Sequence, residues 1–457
     1  MRRVTSVRVE GLFGHLSHEI SVRASTPTIL TGPNGTGKTH VLTLLRAALA
    51  PDLKTLAKLP YREVEIGFSD GRQLLIVRAV NKDETELTLT ALKNKKAEGR
   101  SAKIRDVELE DPELPDHIIA LADGRFLDVR GDRVISSDFV RRRYNPKLSV
   151  SLGDRFRGSP AVLKMFSEHA PILIDTKRLD MTLPRHPSGA DPDAYRGSPR
   201  NVATSSIGRY IDQIRVQVND ARRDSVLATQ SADLSFAARA LAAASDTVKE
   251  GPLHQRYDEI VDRYEDLARN GLAIGEAPLS FPEKTTPTVR RILNVFLDDW
   301  ERRLKPLLPV NEKIKALREI LDTKLAQSGK RTVMATKGQL TFQSFATGQR
   351  VRVSSLSSGE QHLVALFTLL LFTAERDSLV LIDEPEISMH AAWKHAFLDD
   401  ISRVALLADL QVVLATHSTA IINGQWDLTE ELAFSDSPYV FHGDGTADDS
   451  SLDPDEI

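Results

Sequence analysis

The segment Thr28–Thr39, TILTGPNGTGKT, constrains this chain more than any other. A short apolar run, Thr28 to Thr31, delivers the backbone into Gly32-x4-Gly37-Lys38-Thr39, and Lys38 to Leu49 continues with apolar residues at helical spacing. Strand, glycine-rich turn and helix in that order open a βαβ unit, so the class is α/β. Glycine accepts the dihedrals that let backbone amides converge on phosphate oxygens, and the helix N-terminus adds partial positive charge. The pattern is that of a P-loop, with contacts expected from Gly32, Pro33, Asn34, Gly35, Thr36, Gly37, Lys38, Thr39 and His40. Lys38 is expected to reach the β- and γ-phosphates of ATP, and Thr39 to ligate Mg²⁺.

Three later segments bear on the same chemistry. Ser378 to Ile382 is an apolar strand that ends in Asp383-Glu384. Asp383 at the strand end can hold Mg²⁺, and Glu384 can polarise an attacking water. Leu356-Ser-Ser-Gly-Glu-Gln361 opens a helix, with Ser358 expected as N-cap and Gln361 completing a capping box. Gln411 to Ala415 is a second strand, largely apolar, and His417 stands in the polar turn that follows it. A glycine turn, an acidic strand end, a helix cap and a strand-end histidine are each commonplace alone. Their order in one chain carries the argument.

Together the four motifs, with a large insertion between the P-loop and the Ser-Ser-Gly-Glu segment, resemble the SMC-like and RecF-like branch of ABC ATPases. More narrowly, Leu356-Ser-Ser-Gly-Glu-Gln-His362, Leu381-Ile-Asp-Glu-Pro-Glu-Ile-Ser-Met-His390 and Ala415-Thr-His-Ser418 resemble the bacterial OLD-like ATPases of phage-defence systems, with weaker echoes at Ile174 to Leu179, Ser231 to Phe236 and Asp299 to Leu304. The resemblance implies an ABC-type P-loop NTPase core with an antiparallel β layer and a large helical insertion. It implies a homodimer or higher oligomer in which Ser357, Ser358, Gly359 and Glu360 face the γ-phosphate held by the other subunit, while His417 senses that phosphate. With Glu384 and Lys38, His417 makes the expected catalytic set. The resemblance also implies antiviral defence beside a separate effector protein, a nuclease or toxin. A RecF-like repair ATPase that grips DNA directly, and an ATP-binding scaffold with negligible turnover, are the alternatives. A transporter motor is disfavoured, because none of Gln73, Gln213, Gln217 and Gln230 is placed as its coupling glutamine. Only about 40 residues follow His417, too few for the Toprim nuclease of OLD proteins, so cleavage is expected from another polypeptide.

The rest of the chain organises around these motifs. Residues 1–155 read as an N-terminal lobe: P-loop plus strands, with hairpin turns at Asp70-Gly71 and Gly131-Asp132. Residues 156–330 read as a helical insertion, broken near Gly251-Pro252, at Ala277 to Pro287 and at Pro306 to Pro309, and too interrupted for a long coiled coil. It begins with a buried strand at Ala170 to Asp175 and a loop at Leu183 to Ser198. Residues 331–443 read as a C-terminal lobe, and 444–457 as an acidic, disordered tail.

Composition excludes more than it selects. A net charge of -4 gives no global attraction for polyanions, so DNA contact would need a local patch such as Arg141 to Arg143 or the basic run from Lys93 to Arg105; a solvated face is the commoner explanation. Arg178, after the buried strand, serves an ion pair or a nucleotide contact. Zero cysteines rule out disulfides and thiolate metal sites and fit a reducing cytoplasm. His362, His390 and His395 lack metal spacing, and Trp393, Phe397 and Leu398 fit core positions of a helix. The N-terminus has no apolar export segment, and the longest apolar run, Val364 to Phe372, is too short to cross a bilayer; no membrane partner is expected.

Overall fold

The computed structural model describes residues 2–81, 84–105, 118–120, 126–128, 133–135, 139–140, 143, 156, 158–166, 170–175, 206–273, 275–277, 280–335 and 338–434. The chain opens with β1 (Val4–Leu12) and β2 (Leu16–Ser21), a hairpin, and then β3 (Thr28–Thr31), α1 (Lys38–Leu49) and α2 (Leu53–Lys58). β4 (Glu63–Phe68), β5 (Arg72–Asn81), β6 (Glu84–Lys93), β7 (Lys96–Ala97) and β8 (Ala102–Ile104) complete an antiparallel sheet with β1 and β2. Its order is β2-β1-β4-β5-β6-β7, with β8 also on β6. Alternation decides which side is buried: Val7, Ile66 and Leu74 are register partners in turn, as are Ile76 and Leu89, and all five are inaccessible to solvent. With Val41, Leu44 and Leu45 of α1 they form one apolar cluster.

The expected hairpin at Phe126 exists as β10 (Phe126–Asp128) against β11 (Arg133–Ile135), with β9 (Ile118–Ala120) on its other side. The Gly131-Asp132 turn lies outside the described residues, as do Arg141, Arg142, Arg178, the Leu183 to Ser198 stretch and the acidic tail.

β12 (Ile172–Ile174) is the buried strand expected at Ala170 to Asp175, and its three residues pair in parallel with Val380 to Ile382 of the central sheet. A three-residue strand buried on both faces has no other place to satisfy its backbone. The helices follow: α3 (Ser206–Ala242), α4 (Glu250–Arg269), α5 (Pro287–Leu304) and α6 (Leu308–Leu325). The expected break near Gly251-Pro252 falls just before them, between the end of α3 at Ala242 and the start of α4 at Glu250; the two residues sit in the first turn of α4, where a missing N–H costs nothing. Among the described residues the four helices share their core with the central sheet. Ile211, Ile214 and Val218 of α3, Ile314 and Leu317 of α6, and the central-sheet residues Val380 and Leu414 belong to a single buried cluster.

A small antiparallel sheet, β13 (Lys330–Met334), β14 (Leu340–Ser344) and β15 (Arg350–Val351), leads into α7 (Ser358–Thr368), whose end loosens into a π-helical turn at Leu369–Thr373. β16 (Leu379–Asp383), α8 (Ala391–Ala408), β17 (Gln411–Ala415), α9 (Thr419–Ile422) and β18 (Thr429–Glu431) close the fold. The central sheet is parallel throughout, in the order β12-β16-β17-β3-β18. This is an α/β P-loop fold with an antiparallel layer and a large helical segment. Among the described residues no helix is long and apolar enough to cross a membrane.

Candidate functional site

Parallel strands gather ligands at their carboxyl ends, and here three such ends adjoin. β16 ends at Asp383, β17 at Ala415 and β3 at Thr31, with β17 between the other two. Behind them Thr416 N donates to Leu30 O at 3.1 Å, and Glu384 N to Ala415 O at 2.9 Å. The carboxylate pair, the histidine and the P-loop are thus fastened to one another by backbone bonds. A cavity of about 350 Å³ opens above, lined by Phe13, Asn34, Gly35, Gly37, Lys38, Thr39, His40, Glu384 and His417.

The P-loop is shaped by packing as well as by glycine. Gly32 has φ +135°, and a Cβ there would lie 2.3 Å from Leu432 O, so the chain after β18 leaves room for hydrogen alone. Gly37, at φ +85°, is the N-cap of α1. Thr36, fully buried, donates from Oγ1 to Pro33 O at 3.0 Å, and its carbonyl accepts a 2.8 Å bond from His18 Nε2. Since a carbonyl can only accept, that nitrogen carries the proton. Lys38 is 5% exposed and folds onto the loop, donating to Gly32 O at 2.9 Å and Pro33 O at 3.0 Å. Burial pushes its pKa down, against the opposing pull of Glu384, Asp383 and Glu386.

Asp383 is the opposite case. Burial pushes its carboxyl up from the usual range; a hydrogen bond with Thr39 opposes this, while Glu384, Asp175 and Glu386 add to the rise. Its Oδ1 is buried and has no hydrogen-bond partner among the described residues. A crowded, partly orphaned carboxylate beside a hydroxyl is the donor set that a divalent cation relieves. Among the described residues no group of three or more His, Asp or Glu could hold a metal by itself.

Glu384 adopts φ +45°, ψ +56°, left-handed geometry that costs a non-glycine residue about 1 kcal/mol or more. The strained backbone directs its carboxylate to His417, with Oε1 3.5 Å from Nε2.

The signature segment departs from expectation in two ways. The cap is Ser357, not Ser358: its hydroxyl accepts from Glu360 N at 3.3 Å, and Glu360 Oε2 accepts from Ser357 N at 2.7 Å. Both serines have a Glu or Gln three residues on, and the carboxylate is the stronger acceptor. Glu360, expected among the nucleotide contacts, turns inward. It is 2% exposed, pairs with Lys330 at 2.8 Å and accepts from Ser328 Oγ at 2.5 Å. No residue from Ser357 to Glu360 lines the cavity of its own chain.

Other singled-out residues have partners within the chain. Lys103 and Arg105 pair with Glu86 on the exposed face of β6. His390 caps α8 through Nδ1, His395 bonds Asn423, and Trp393, Phe397 and Leu398 are core. Sequence reasoning missed Phe13, His18 and Glu386. Phe13 stands edge-on to His40 at 4.8 Å, and its φ of +53° is the kind of signal that no residue pattern announces.

A family model described as "AAA domain, putative AbiEii toxin, Type IV TA system" matches residues 218–423, which takes in the signature, carboxylate and histidine segments but not the P-loop. No curated protein matches. Among solved structures, the chain is similar to an Smc head domain with an extended coiled coil, bound to the C-terminal domain of ScpA, from Pyrococcus furiosus: 14% identity, TM-score 0.34, 92% of this chain and 91% of that one covered. It is likewise similar to the SMC head domain from Thermotoga maritima, at 10% identity and TM-score 0.31, covering 94% and 92%.

Proposed function

We propose that this chain binds ATP with Mg²⁺, hydrolyses it, and uses the cycle to control its association with a second copy of itself. The observation that carries the reading is the convergence of Lys38, Thr39, Glu384 and His417 on one cavity, with Asp383 bonded to Thr39 beneath. Thr39 and Asp383 would hold the metal, which when bound would neutralise phosphate charge. Lys38 exchanges its two loop carbonyls for phosphate oxygens and so keeps its desolvated ammonium paired. Glu384 accepts a proton from the attacking water, and His417 fixes the direction of that carboxylate.

The dimer follows from the signature segment. α7 presents an N-terminus with Ser358 and Gly359 away from its own cavity, and a helix N-terminus is suited to an anion. ATP would then be shared, held by Lys38 of one chain and approached by Ser357 to Gly359 of the partner. Mixing two inactive variants, Lys38→Ala and Gly359→Arg, tests this. Mixed dimers keep one intact composite site and make up half of an equimolar mixture, so phosphate release should return towards about a quarter of wild type. Two variants that stay inactive when mixed, or a chain that remains monomeric with ATP in every variant, would sink the shared site.

For the biological role we propose a defence switch acting on a separate nuclease or toxin, supported by the family description and the OLD-like motifs. Phage plating on cells carrying the chain with its neighbouring genes should show protection that Glu384→Gln removes. Protection retained by that variant would count against a role for the ATP cycle.

A further inference from the structure

Immediately after the carboxylate pair the chain makes one tight turn, Pro385–Ser388, and Glu386 on that turn faces back towards the end of β17. Its Oε1 accepts from Thr416 Oγ1 at 2.7 Å and from His417 N at 3.0 Å. The same Thr416 hydroxyl accepts from Ser418 N at 3.0 Å, and Thr416 N is bonded to the P-loop strand at Leu30. One carboxylate oxygen therefore organises three consecutive residues around the histidine, on a base fixed to the P-loop. One sp² oxygen has the two lone pairs needed to accept both bonds, and a carboxylate or an amide oxygen at this position supplies it. The other oxygen, Oε2, is buried and has no hydrogen-bond partner among the described residues.

We propose that Glu386 is the positioning residue for His417. It holds the Thr416–Ser418 turn so that the imidazole meets Glu384, and thereby joins the turn after β16 to the end of β17. The proposal rests on the hydrolysis reading above. Glu386 touches no reacting atom in it; its effect passes through His417.

The test combines Glu386→Ala, Glu386→Gln, His417→Ala and the double variant Glu386→Ala/His417→Ala in the full chain. Misplacing the histidine should lower kcat by up to about 10-fold, no more than His417→Ala itself, while KM for ATP moves little. Glu386→Gln keeps an acceptor oxygen and should stay within about 3-fold of wild type, because position and not charge is what matters. The double variant should be no slower than His417→Ala, since both changes remove the same contact. Amide exchange over residues 411–422 should quicken in Glu386→Ala and not in Glu386→Gln, a readout independent of turnover. Equal losses in the Ala and Gln variants, additivity with His417→Ala, or unchanged exchange would each overturn the proposal. A wild-type chain no more active than Lys38→Ala would overturn the hydrolysis reading instead, and the exchange result would still separate the two failures.

Discussion

Glu384 Oε1 and His417 Nε2 stand 3.5 Å apart, brought together from strand ends that pair at Asp383 and Ala415. Neither side chain reaches the other by local sequence; the register of β16 on β17 does it. The relation predicts unequal losses on substitution. Glu384→Gln should reduce phosphate release about 100-fold or more with ATP binding intact, as expected for loss of a general base. His417→Ala should cost about 10-fold, because it disturbs the aim of the base and leaves the base in place. Single-turnover phosphate release with a fluorescent ATP analogue measured in parallel would check both. A His417→Ala loss as large as that of Glu384→Gln would mean that the histidine itself carries the proton.

Asp383 gives a prediction of opposite sign for stability and function. Its carboxyl is raised by burial and by Glu384, Asp175 and Glu386. A raised folded pKa on an acid means that its charge costs stability above that pKa, and the cost vanishes as pH falls through it. Asp383→Asn should therefore raise the melting temperature of the nucleotide-free chain at neutral pH while abolishing Mg²⁺-dependent ATP binding. The stabilisation should shrink in acid and also when wild type is given Mg²⁺ with ATP. A variant that melts below wild type at neutral pH would contradict the account of Asp383 as a strained cation site.

What could be read from sequence was local. β3, α1 and β17 match their expected spans because each is set by a run of apolar residues bounded by glycine or by polar turns. β18 was not expected. Thr429-Glu430-Glu431 is a polar edge strand with no alternation, held by pairing with Ile29 to Thr31. Edge strands of this kind carry their reason in the partner, not in themselves. The role of Glu386 was equally hidden, since Thr416 and His417 lie about 30 residues on. The choice between Ser357 and Ser358 as cap depended on Glu360 meeting Lys330 and Ser328, two residues that no helical pattern connects to it.

That Glu360 network predicts a pH dependence. Burial alone would raise its carboxyl, yet hydrogen bonds from Lys330, Ser328 and Ser357 N hold it below the usual range. A depressed folded pKa contributes stability above the unfolded value, about 4.3 for glutamate, and that contribution is lost as pH falls through the folded value. Glu360→Gln should lower stability by about 2 kcal/mol at pH 7, at the low end for a buried pair because Lys330 is a fifth exposed. Melting temperatures of the two proteins should converge below about pH 4. A gap that persists unchanged into acid would show that the loss comes from shape and not from charge.

Gly32 and Gly424 separate close approach from backbone strain. Both have positive φ, +135° and +83°, but a Cβ at Gly32 would meet Leu432 O at 2.3 Å, whereas one at Gly424 meets nothing within 4 Å. Gly424→Ala should cost only the strain, about 1 kcal/mol, and leave ATP binding unchanged. Gly32→Ala must in addition push β18 from β3 or tilt the P-loop, because a carbonyl in a strand pair bonded through Leu432 N and Thr31 O at 2.8 Å cannot move aside alone. It should cost about 2–4 kcal/mol and lose ATP binding. Urea unfolding with nucleotide titration would check both. Equal effects of the two substitutions would mean that β18 yields freely, and that the chain after it does not shape the phosphate loop.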